Sequence, residues 1–295
     1  MTSEPSTTNA MTPADTATLS AISFDVEEFF QVANLRGHYA REDWEGVDSR
    51  IDRGMDAILG CLAKRGARAT FFFLGWVAER RPDLVRACLD GGHEVQSHGY
   101  EHTFLFDLDA AALHADLART EEAIVAAGAP RPTGFRASTF TLTRETFWAV
   151  DVLVERGYRY DSSIHPIAHP TYGIEDFEPG ISRIETEHGS IVEFPVSTLR
   201  AAGRNLPVGG GGYFRLLPGW ATRMAVRRIT KGGDPANLYL HPWEFDPEQP
   251  RVPAPALKRL RHYLNLDRTL DRLDALLARQ RFAGLGEVLT ERGWL

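Results

Sequence analysis

Acidic and imidazole side chains lie at the ends of apolar runs in this sequence. In such places they could bind a metal ion or transfer a proton. The stretch "SFDVEEFF" (23–30) holds Asp25 and Glu27 two residues apart. In a strand this spacing puts both carboxylates on one side, while Glu28 points away and is expected to be solvated or to anchor a loop. Because burying an unpaired carboxylate is costly, the pattern predicts a partner or a metal for Asp25 and Glu27.

A second stretch, "SHGYEH" (97–102), carries His98 and His102 four residues apart. On a helical turn this spacing would put both imidazoles on one face, as in the two-histidine zinc helix of metalloproteases. Gly99 stands where those enzymes have a general-base glutamate, so a base and a third ligand must come from elsewhere. Catalytic zinc sites use three protein ligands and keep one position open for water. The segment "FDVEE" can supply both missing parts.

Three further polar residues follow apolar segments: Arg136 in "GFRASTF", Asp161 in "YDSSI" and His241 in "LYLHPWE". Each has an ordinary structural interpretation, since an arginine can be solvated, an aspartate can cap a helix and a histidine can be hydrogen-bonded in the core. Five such clusters in five successive strand–helix units indicate a functional site more than five separate structural roles. In parallel barrels the carboxyl ends of the strands form the rim that carries the active site.

The elements that must position these residues alternate between strand-like and helix-like patterns. This alternation predicts an α/β fold with a parallel sheet covered by helices, and the length favours a (β/α) barrel, complete or incomplete, over an open doubly wound sheet. The glycines of "VGGGGYF" (208–214) lack the context of a phosphate-binding motif and predict a flexible loop. From Pro250 onward the pattern changes, and residues 265–280 predict a helix that packs across the main domain. Its apolar stripe comprises Leu266, Leu270, Leu273 and Leu277.

Composition limits the class of protein. A net charge of -7 over 295 residues argues against a nucleic-acid binder. Cys61 and Cys88 lie in helix-like stretches and are predicted to be apolar fillers, not a disulfide. No apolar run approaches the ~20 residues of a membrane span. Residues 1–20 are rich in Ser, Thr and Pro and predict a disordered tail without the pattern of a signal peptide, so a cytoplasmic protein is expected.

Taken in order, the five motifs resemble those of the polysaccharide deacetylases of the NodB-homology type, carbohydrate esterase family four. "SHGYEH" resembles the metal motif of that family, and "FDVEE" resembles its first motif in an Asp-x-Glu variant. "GFRASTF", "YDSSI" and "LYLHPWE" are similar to the Arg, Asp and Leu-x-His motifs. The stretches "GGYFRLLP" and "HPWEFDPEQPR" further resemble a subgroup encoded with exosortase-linked exopolysaccharide gene clusters.

The resemblance implies a distorted, seven-stranded (β/α) barrel and one divalent metal ion. Glu27, His98 and His102 would be its ligands, and this donor set suits zinc foremost but also cobalt, nickel, manganese or iron. Three segments are then expected: a tail over 1–20, a deacetylase domain over 21–249 and a helical extension over 250–295 that packs on it.

The resemblance also implies roles for the other four polar residues. Asp25 would be the catalytic base, His241 the catalytic acid, Arg136 the partner that holds Asp25, and Asp161 the partner that orients His241. Phe140, Tyr213 and Trp243 are candidates for stacking against a sugar ring as walls of the binding site. For each of them, packing in the core is an equal alternative. The Arg motif departs from the family pattern because Ser138 replaces a proline, which removes a fixed φ near Arg136.

The implied activity is the metal-dependent removal of acetyl groups from N-acetylated amino sugars of a polysaccharide or its precursor. The expected partners are an N-acetylated glycan and the exopolysaccharide assembly machinery, without nucleic acid and without a transmembrane segment. Two alternatives stay open at this point. One is an allantoinase-like amidohydrolase of small cyclic amides. The other is a non-catalytic carbohydrate-binding or scaffold protein, which the joint presence of all the chemical residues disfavours.

Overall fold

A computed structural model describes residues 18–201, 203–253 and 255–295, and these contain eleven strands and ten α-helices. The strands are β1 (Ser20–Val26), β2 (Thr70–Phe73), β3 (Glu94–Ser97), β4 (Gly134–Phe135), β5 (Tyr160–Asp161), β6 (Ser182–Thr186), β7 (Gly189–Glu193), β8 (Thr198–Ala201), β9 (Arg204–Pro207), β10 (Asn237–Leu240) and β11 (Phe282–Ala283). The helices are α1 (Ile51–Arg65), α2 (Gly75–Arg80), α3 (Pro82–Asp90), α4 (Ala110–Ala126), α5 (Ala149–Glu155), α6 (Gly211–Leu216), α7 (Gly219–Lys231), α8 (Ala256–Tyr263), α9 (Thr269–Leu277) and α10 (Leu285–Glu291). Most of the predicted tail, residues 1–17, lies outside the described residues.

Nine of these strands form one sheet, in the order β10-β1-β2-β3-β4-β5-β7-β6, with β11 also paired to β1. All neighbours in this sheet are parallel except β6, which is antiparallel to β7. Strands β8 and β9 form a separate hairpin. The predicted α/β fold with a parallel sheet is therefore confirmed, while the number of barrel strands stays a prediction.

The ends of the parallel array are joined by the residues that follow β7. The Ser197 amide donates to the Asn237 carbonyl oxygen at 3.0 Å. The side-chain amide of Asn237 donates to the carbonyl oxygens of Phe194 at 2.8 Å and Pro195 at 3.2 Å. These bonds connect β10 to the chain beyond β7, as is expected when a parallel sheet curls toward a distorted barrel.

Strand β1 is buried along its whole length, and its two sides have different roles. Ile22, Phe24 and Val26 belong to the large apolar cluster that the helices cover. Ser23 and Asp25 point to the opposite side, where both contact the same buried arginine. The period of two in a strand thus separates packing residues from polar ones.

The segment after Pro250 is built into the sheet as well as packed on it. Strand β11 pairs with the first residues of β1, and α10 buries Leu285, Val288 and Leu289 against this region. The predicted apolar stripe is only partly correct, because Leu270 is 39% exposed and α9 begins at Thr269, not at 265. The domain boundary at residue 249 stays a prediction.

The glycine-rich segment before α6 is not the flexible loop that its composition predicts. The Tyr239 amide in β10 donates to the Gly209 carbonyl oxygen at 2.8 Å. A Cβ on Gly209 would lie 2.7 Å from the Asn237 carbonyl oxygen, and one on Gly210 would lie 2.9 Å from the Tyr239 hydroxyl. These glycines are therefore needed because the backbone packs directly on β10.

Two other expectations from composition can be compared with the described part of the chain. Cys61 and Cys88 are buried thiols without a disulfide, as predicted. None of the helices in the described ranges combines the length and the apolar character that crossing a bilayer requires.

The close approach of α1 to the segment after β10 gives a testable prediction about stability. A Cβ on Gly54 would lie 2.0 Å from the Pro242 carbonyl oxygen, whereas one on Gly60 of the same helix would meet no atom within 4 Å. Gly54→Ala should therefore lower the free energy of unfolding by about 1–3 kcal/mol. Gly60→Ala should raise it by about 1 kcal/mol, since alanine favours helices. Urea unfolding of both variants checks this, and equal effects would contradict the packing.

Candidate active site

The two carboxylates of the first strand lie side by side in the interior. Asp25 is in β1, and Glu27 follows its last residue; their exposed fractions are 1% and 2%. One imidazole approaches both, because His241 Nε2 lies 3.8 Å from Asp25 Oδ2 and 3.6 Å from Glu27 Oε1. The two acids therefore share a site. Apart from His241 their partners differ, because Asp25 pairs with Arg136 and Glu27 contacts His102.

Glu27, His98 and His102 form a buried cluster whose ligand atoms, one from each residue, lie within 4.8 Å of one another. His98 comes directly after β3, and its Nδ1 lies 2.7 Å from the Arg136 carbonyl oxygen, which can only accept. Nδ1 must therefore carry the proton, so Nε2 keeps the lone pair that a metal ion requires.

The backbone between the two histidines differs from the predicted helical turn. Residues 98–104 are irregular, with Gly99 at φ 74° and His102 at φ 58°, both in the left-handed region. Arg36 donates a hydrogen bond to the His102 carbonyl oxygen. The imidazole centroids are nevertheless 5.5 Å apart. The spacing of four brings the rings together through a loop, which costs strain at a non-glycine residue.

The donor set fits a divalent metal ion. Glu27 Oε2 lies 2.9 Å from His102 Nε2, yet this oxygen and His102 Nδ1 are both buried without a hydrogen-bond partner. Buried polar atoms normally have partners, so these two atoms mark an incomplete polar cluster. Two imidazoles and one carboxylate are ligands that zinc and neighbouring transition metals accept. The cluster can therefore hold a metal ion.

The electrostatics of the cluster favour the protonation states that bind metals. Burial alone would raise the pKa of Glu27, but neighbouring imidazoles, His102 foremost, lower it to about 2. Burial lowers the pKa of His98 to about 4. At neutral pH the site thus presents an ionised carboxylate and a neutral imidazole, the forms that coordinate a cation.

Arg136 is fully buried and holds Asp25. Its Nη1 donates to Asp25 Oδ1 and to Ser23 Oγ, both at 2.7 Å. Its other nitrogens donate to Ser162, Nη2 to the hydroxyl at 2.9 Å and Nε to the carbonyl oxygen at 3.0 Å. The guanidinium is therefore fixed in one orientation, and Asp25 has a charged partner on the side away from His241.

The serine that replaces proline in the Arg motif does not loosen this arrangement. Ser138 Oγ donates to the His98 carbonyl oxygen at 3.3 Å, and Thr141 Oγ1 donates to the Ser138 carbonyl oxygen at 2.8 Å. The next two residues, Thr139 and Phe140, have φ of 54° and 55°. Hydrogen bonds therefore hold a strained loop where the family pattern has a ring-constrained residue.

His241 follows β10 and is held by an acid three residues further along the chain. Its Nδ1 lies 2.6 Å from Glu244 Oε1, and its ring stacks on Trp243 with centroids 5.2 Å apart. Burial alone would lower the pKa of His241, but the hydrogen bond to Glu244 and the nearby carboxylates raise it to about 9. The imidazole is thus able to carry a proton at neutral pH.

The predicted contact between Asp161 and His241 is wrong. Asp161 accepts from the Ser163 hydroxyl at 2.5 Å and from the Ser163 amide at 3.2 Å. It lies opposite Glu193 in the β5–β7 pairing, and burial raises the pKa of both acids. Because β5 directs this side chain toward the neighbouring strand β7, Asp161 contacts residues inside the sheet and does not reach His241. Glu244 contacts His241 instead.

Two of the three predicted sugar walls are buried. Trp243 is 8% exposed, stacks on both His241 and His262, and donates from Nε1 to Glu27 Oε1 at 3.1 Å. Phe140 is 4% exposed and packs on Tyr239. Both side chains therefore support the site from the interior, in agreement with the alternative of core packing, and a contact with sugar stays a prediction. Tyr213, in α6, is partly exposed and stays a candidate.

The motif analysis did not single out Glu244 and its partner Arg215. Glu244 is completely buried and Arg215 is 2% exposed, with Arg215 Nε 2.6 Å from Glu244 Oε2. The signal was present in "LYLHPWEF", where an acid follows His241 by three residues within an apolar segment. Such an acid needs a partner for the same reason as Asp25 does.

Comparison with known families identifies the N-terminal part of the chain. Residues 47–160 match the family described as Polysaccharide deacetylase, and residues 162–290 match a domain of unknown function, DUF3473. The first match covers less than half of the chain, and it confirms the resemblance of the motifs to the polysaccharide deacetylases. The exosortase-linked subgroup stays a prediction.

Curated deacetylases match parts of this chain, and a solved structure has a similar fold. The chain is 41% identical over 70 residues to a chitooligosaccharide deacetylase of Rhizobium leguminosarum bv. trifolii, covering 24% of this chain and 33% of that protein. It is 28% identical over 157 residues to a peptidoglycan deacetylase of Helicobacter pylori, covering 52% and 50%. The matches thus span between a third and a half of these relatives. A Mycobacterium smegmatis structure assigned as a polysaccharide deacetylase has a TM-score of 0.61 at 17% identity, covers 93% of this chain and 90% of its own, and supports the fold.

The ligand cluster predicts how the protein binds metal. We expect about one divalent ion per chain, bound tightly enough to survive dialysis. Glu27→Ala and His98→Ala should lose this ion because each removes one of three ligands. Metal content is measured by mass spectrometry after loading with zinc and dialysis.

The neighbouring Glu28 offers a matched control for that measurement. It is buried but accepts hydrogen bonds from the Ser49 hydroxyl and the Arg50 amide, so it anchors a loop outside the cluster. Glu28→Gln should retain the ion. A Glu27→Ala protein that stays loaded would remove the metal assignment.

Proposed function

We propose that this protein is a metal-dependent N-deacetylase, which hydrolyses the acetamido group of N-acetylated amino sugars. The observation that carries the proposal is the convergence of three units: Asp25 held by Arg136, the ligand cluster, and His241 Nε2 within 3.8 Å of Asp25. Hydrolysis of an amide needs a base for the attacking water and an acid for the departing amine. The site offers one candidate for each.

Asp25 is the proposed base. Its Oδ1 is occupied by Arg136, while its Oδ2 faces His241 and is the oxygen that can accept a proton from water. The arginine gives this buried carboxylate an oppositely charged partner at 2.7 Å. A divalent ion held by the ligand cluster would supply Lewis acidity, which polarises the acetyl carbonyl and activates water. Zinc is the proposed metal, with cobalt, nickel, manganese and iron as alternatives.

His241 is the proposed acid. The amine that leaves during amide hydrolysis is a poor leaving group unless it is protonated. His241 Nδ1 is tied to Glu244, so Nε2 is the nitrogen that faces the site and can deliver the proton. After one turnover the proton taken up by Asp25 must return to His241 or to solvent, and the 3.8 Å between Oδ2 and Nε2 requires a bridging water or a small movement for return to His241.

The proposed substrate follows from the relatives. Proteins named chitooligosaccharide deacetylase and peptidoglycan deacetylase match parts of this chain. Both names point to glycans with N-acetylated amino sugars, which we extend to this chain as a substrate class, present in a polysaccharide or in its precursor. A role in exopolysaccharide biosynthesis, together with its assembly machinery, is proposed from the motif resemblance alone.

The activity is tested by acetate release from N-acetylated glycans. The zinc-loaded protein is incubated with chitooligosaccharides, peptidoglycan fragments and small cyclic amides, and acetate release from the glycans and ring opening of the cyclic amides are measured separately. Acetate from a glycan supports the proposal, and chelation should abolish its release. Hydrolysis confined to cyclic amides would favour the amidohydrolase alternative, and no hydrolysis of any substrate would leave a binding protein.

The assigned roles predict different effects of two substitutions. Asp25→Asn should keep the metal and lower kcat by about 10²–10⁴-fold, because an amide cannot accept the proton. His241→Ala should also keep the metal and lower kcat by a similar factor with little change in KM. Steady-state kinetics and metal analysis on the same preparations check this. If Asp25→Asn emptied the site and Glu27→Ala did not, the roles of the two acids would be reversed.

A further inference from the structure

Glu244 lies in the interior of the protein, between the guanidinium of Arg215 and the imidazole of His241, the proposed acid. Its Oε1 lies 2.6 Å from His241 Nδ1, and its Oε2 lies 2.6 Å from Arg215 Nε. The carboxylate is 0% exposed and the guanidinium side chain 2%. Each oxygen of Glu244 therefore has one partner, and water plays little part in holding the group.

Arg215 is itself fixed by the segment that follows residue 250. Its Nη1 donates to the carbonyl oxygens of His262 at 3.0 Å and Leu264 at 2.8 Å, and its Nη2 donates to that of Arg261 at 3.1 Å. These carbonyls lie in and just after the last turn of α8, where a helix has no internal donors for them. A cation at a helix carboxyl end is also favoured by the helix dipole.

The start of α6 is shaped to admit the Glu244 carboxylate. A Cβ on Gly211 would lie 2.0 Å from Glu244 Oε1 and 2.4 Å from Oε2. The next residue, Gly212, is exposed, and a Cβ there would meet no atom within 4 Å. Gly211 therefore leaves room for the carboxylate that contacts His241, whereas Gly212 has no such role.

We propose that Glu244 is a positioning residue for His241, held in place by Arg215, Gly211 and the end of α8. By accepting from Nδ1, Glu244 fixes the ring so that Nε2 points to Asp25 and Glu27. This inference rests on the proposed function, since it assigns a partner to the proposed acid. It also makes the segment beyond residue 250 a part of the site, although α8 contributes only backbone oxygens.

The test compares Gly211→Ala with Gly212→Ala in the zinc-loaded, full-length protein. Neither change removes a charged or polar group. Gly211→Ala should displace Glu244 and lower kcat by about 10–100-fold, the usual cost of losing a partner that orients a functional histidine. Its KM and metal content should stay near those of the unchanged protein. Gly212→Ala should leave kcat, KM and metal content unchanged.

A second set of variants separates positioning from general support of the fold. Glu244→Gln keeps the shape and an acceptor oxygen but loses the charge that pairs with Arg215, and Glu244→Asp keeps the charge with a shorter reach. Both are combined with His241→Ala. If Glu244 acts through His241, each Glu244 substitution should lower kcat in the protein that retains His241. In the protein that already carries His241→Ala, the same substitution should lower kcat no further. Thermal melting confirms that the compared proteins are folded.

A readout independent of activity distinguishes this inference from the proposed function. In the ¹⁵N-labelled, zinc-free protein, the Nδ1 resonance of His241 should show a protonated nitrogen in a strong hydrogen bond. Gly211→Ala should shift that resonance, and Gly212→Ala should not. If the shift is seen and no substrate is hydrolysed, the positioning contact stands and the proposed function fails. Equal kcat losses with and without His241, or a resonance unchanged by Gly211→Ala, would overturn the inference.

Discussion

The buried ion pair between Arg136 and Asp25 is the interaction around which the site is arranged. Its two side chains are 0% and 2% exposed, and the shortest contact between them is 2.7 Å. Removing one partner of such a pair typically costs about 3–5 kcal/mol because the other charge stays in the interior. The same arginine binds Ser23 and Ser162 with its side chain and His98 with its carbonyl oxygen. One residue thereby orients the proposed base, a proposed ligand and two strands.

The proposed acid has a parallel support on the other side of the cluster. Arg136 neutralises Asp25, and Arg215 neutralises Glu244, so each reacting group is backed by one buried guanidinium. Arginine suits both places because its planar fork can satisfy several acceptors at once. In each case these acceptors include backbone carbonyl oxygens, which tie the charge to the fold. The proposed reacting groups are therefore held by the interior of the protein.

The sequence predicted which strand ends bring buried polar side chains together, because alternation of strands and helices places the carboxyl ends of parallel strands at one rim. It also predicted the proximity of Asp25, Glu27, His98 and His102, since spacing and residue type constrain them locally. It failed for the contact of Asp161 and for the glycines before α6, and for Trp243 it could not decide between core packing and a sugar wall. Whether such residues face a site or pack in the interior depends on contacts between segments far apart in the chain, such as Gly209 on β10. A short motif contains no information about those contacts.

The pairing of β11 with β1 has a consequence for how the chain is made. Strand β1 carries the proposed base and is completed by β10 and β11, which are the last two strands of the described chain. Synthesis proceeds from the N-terminus, so β1 and its other neighbour β2 leave the ribosome long before β10 and β11 exist. Native pairing over such separations is slow, and the apolar residues of β1 stay uncovered meanwhile. Nascent chains should therefore need protection by chaperones until β11 has emerged.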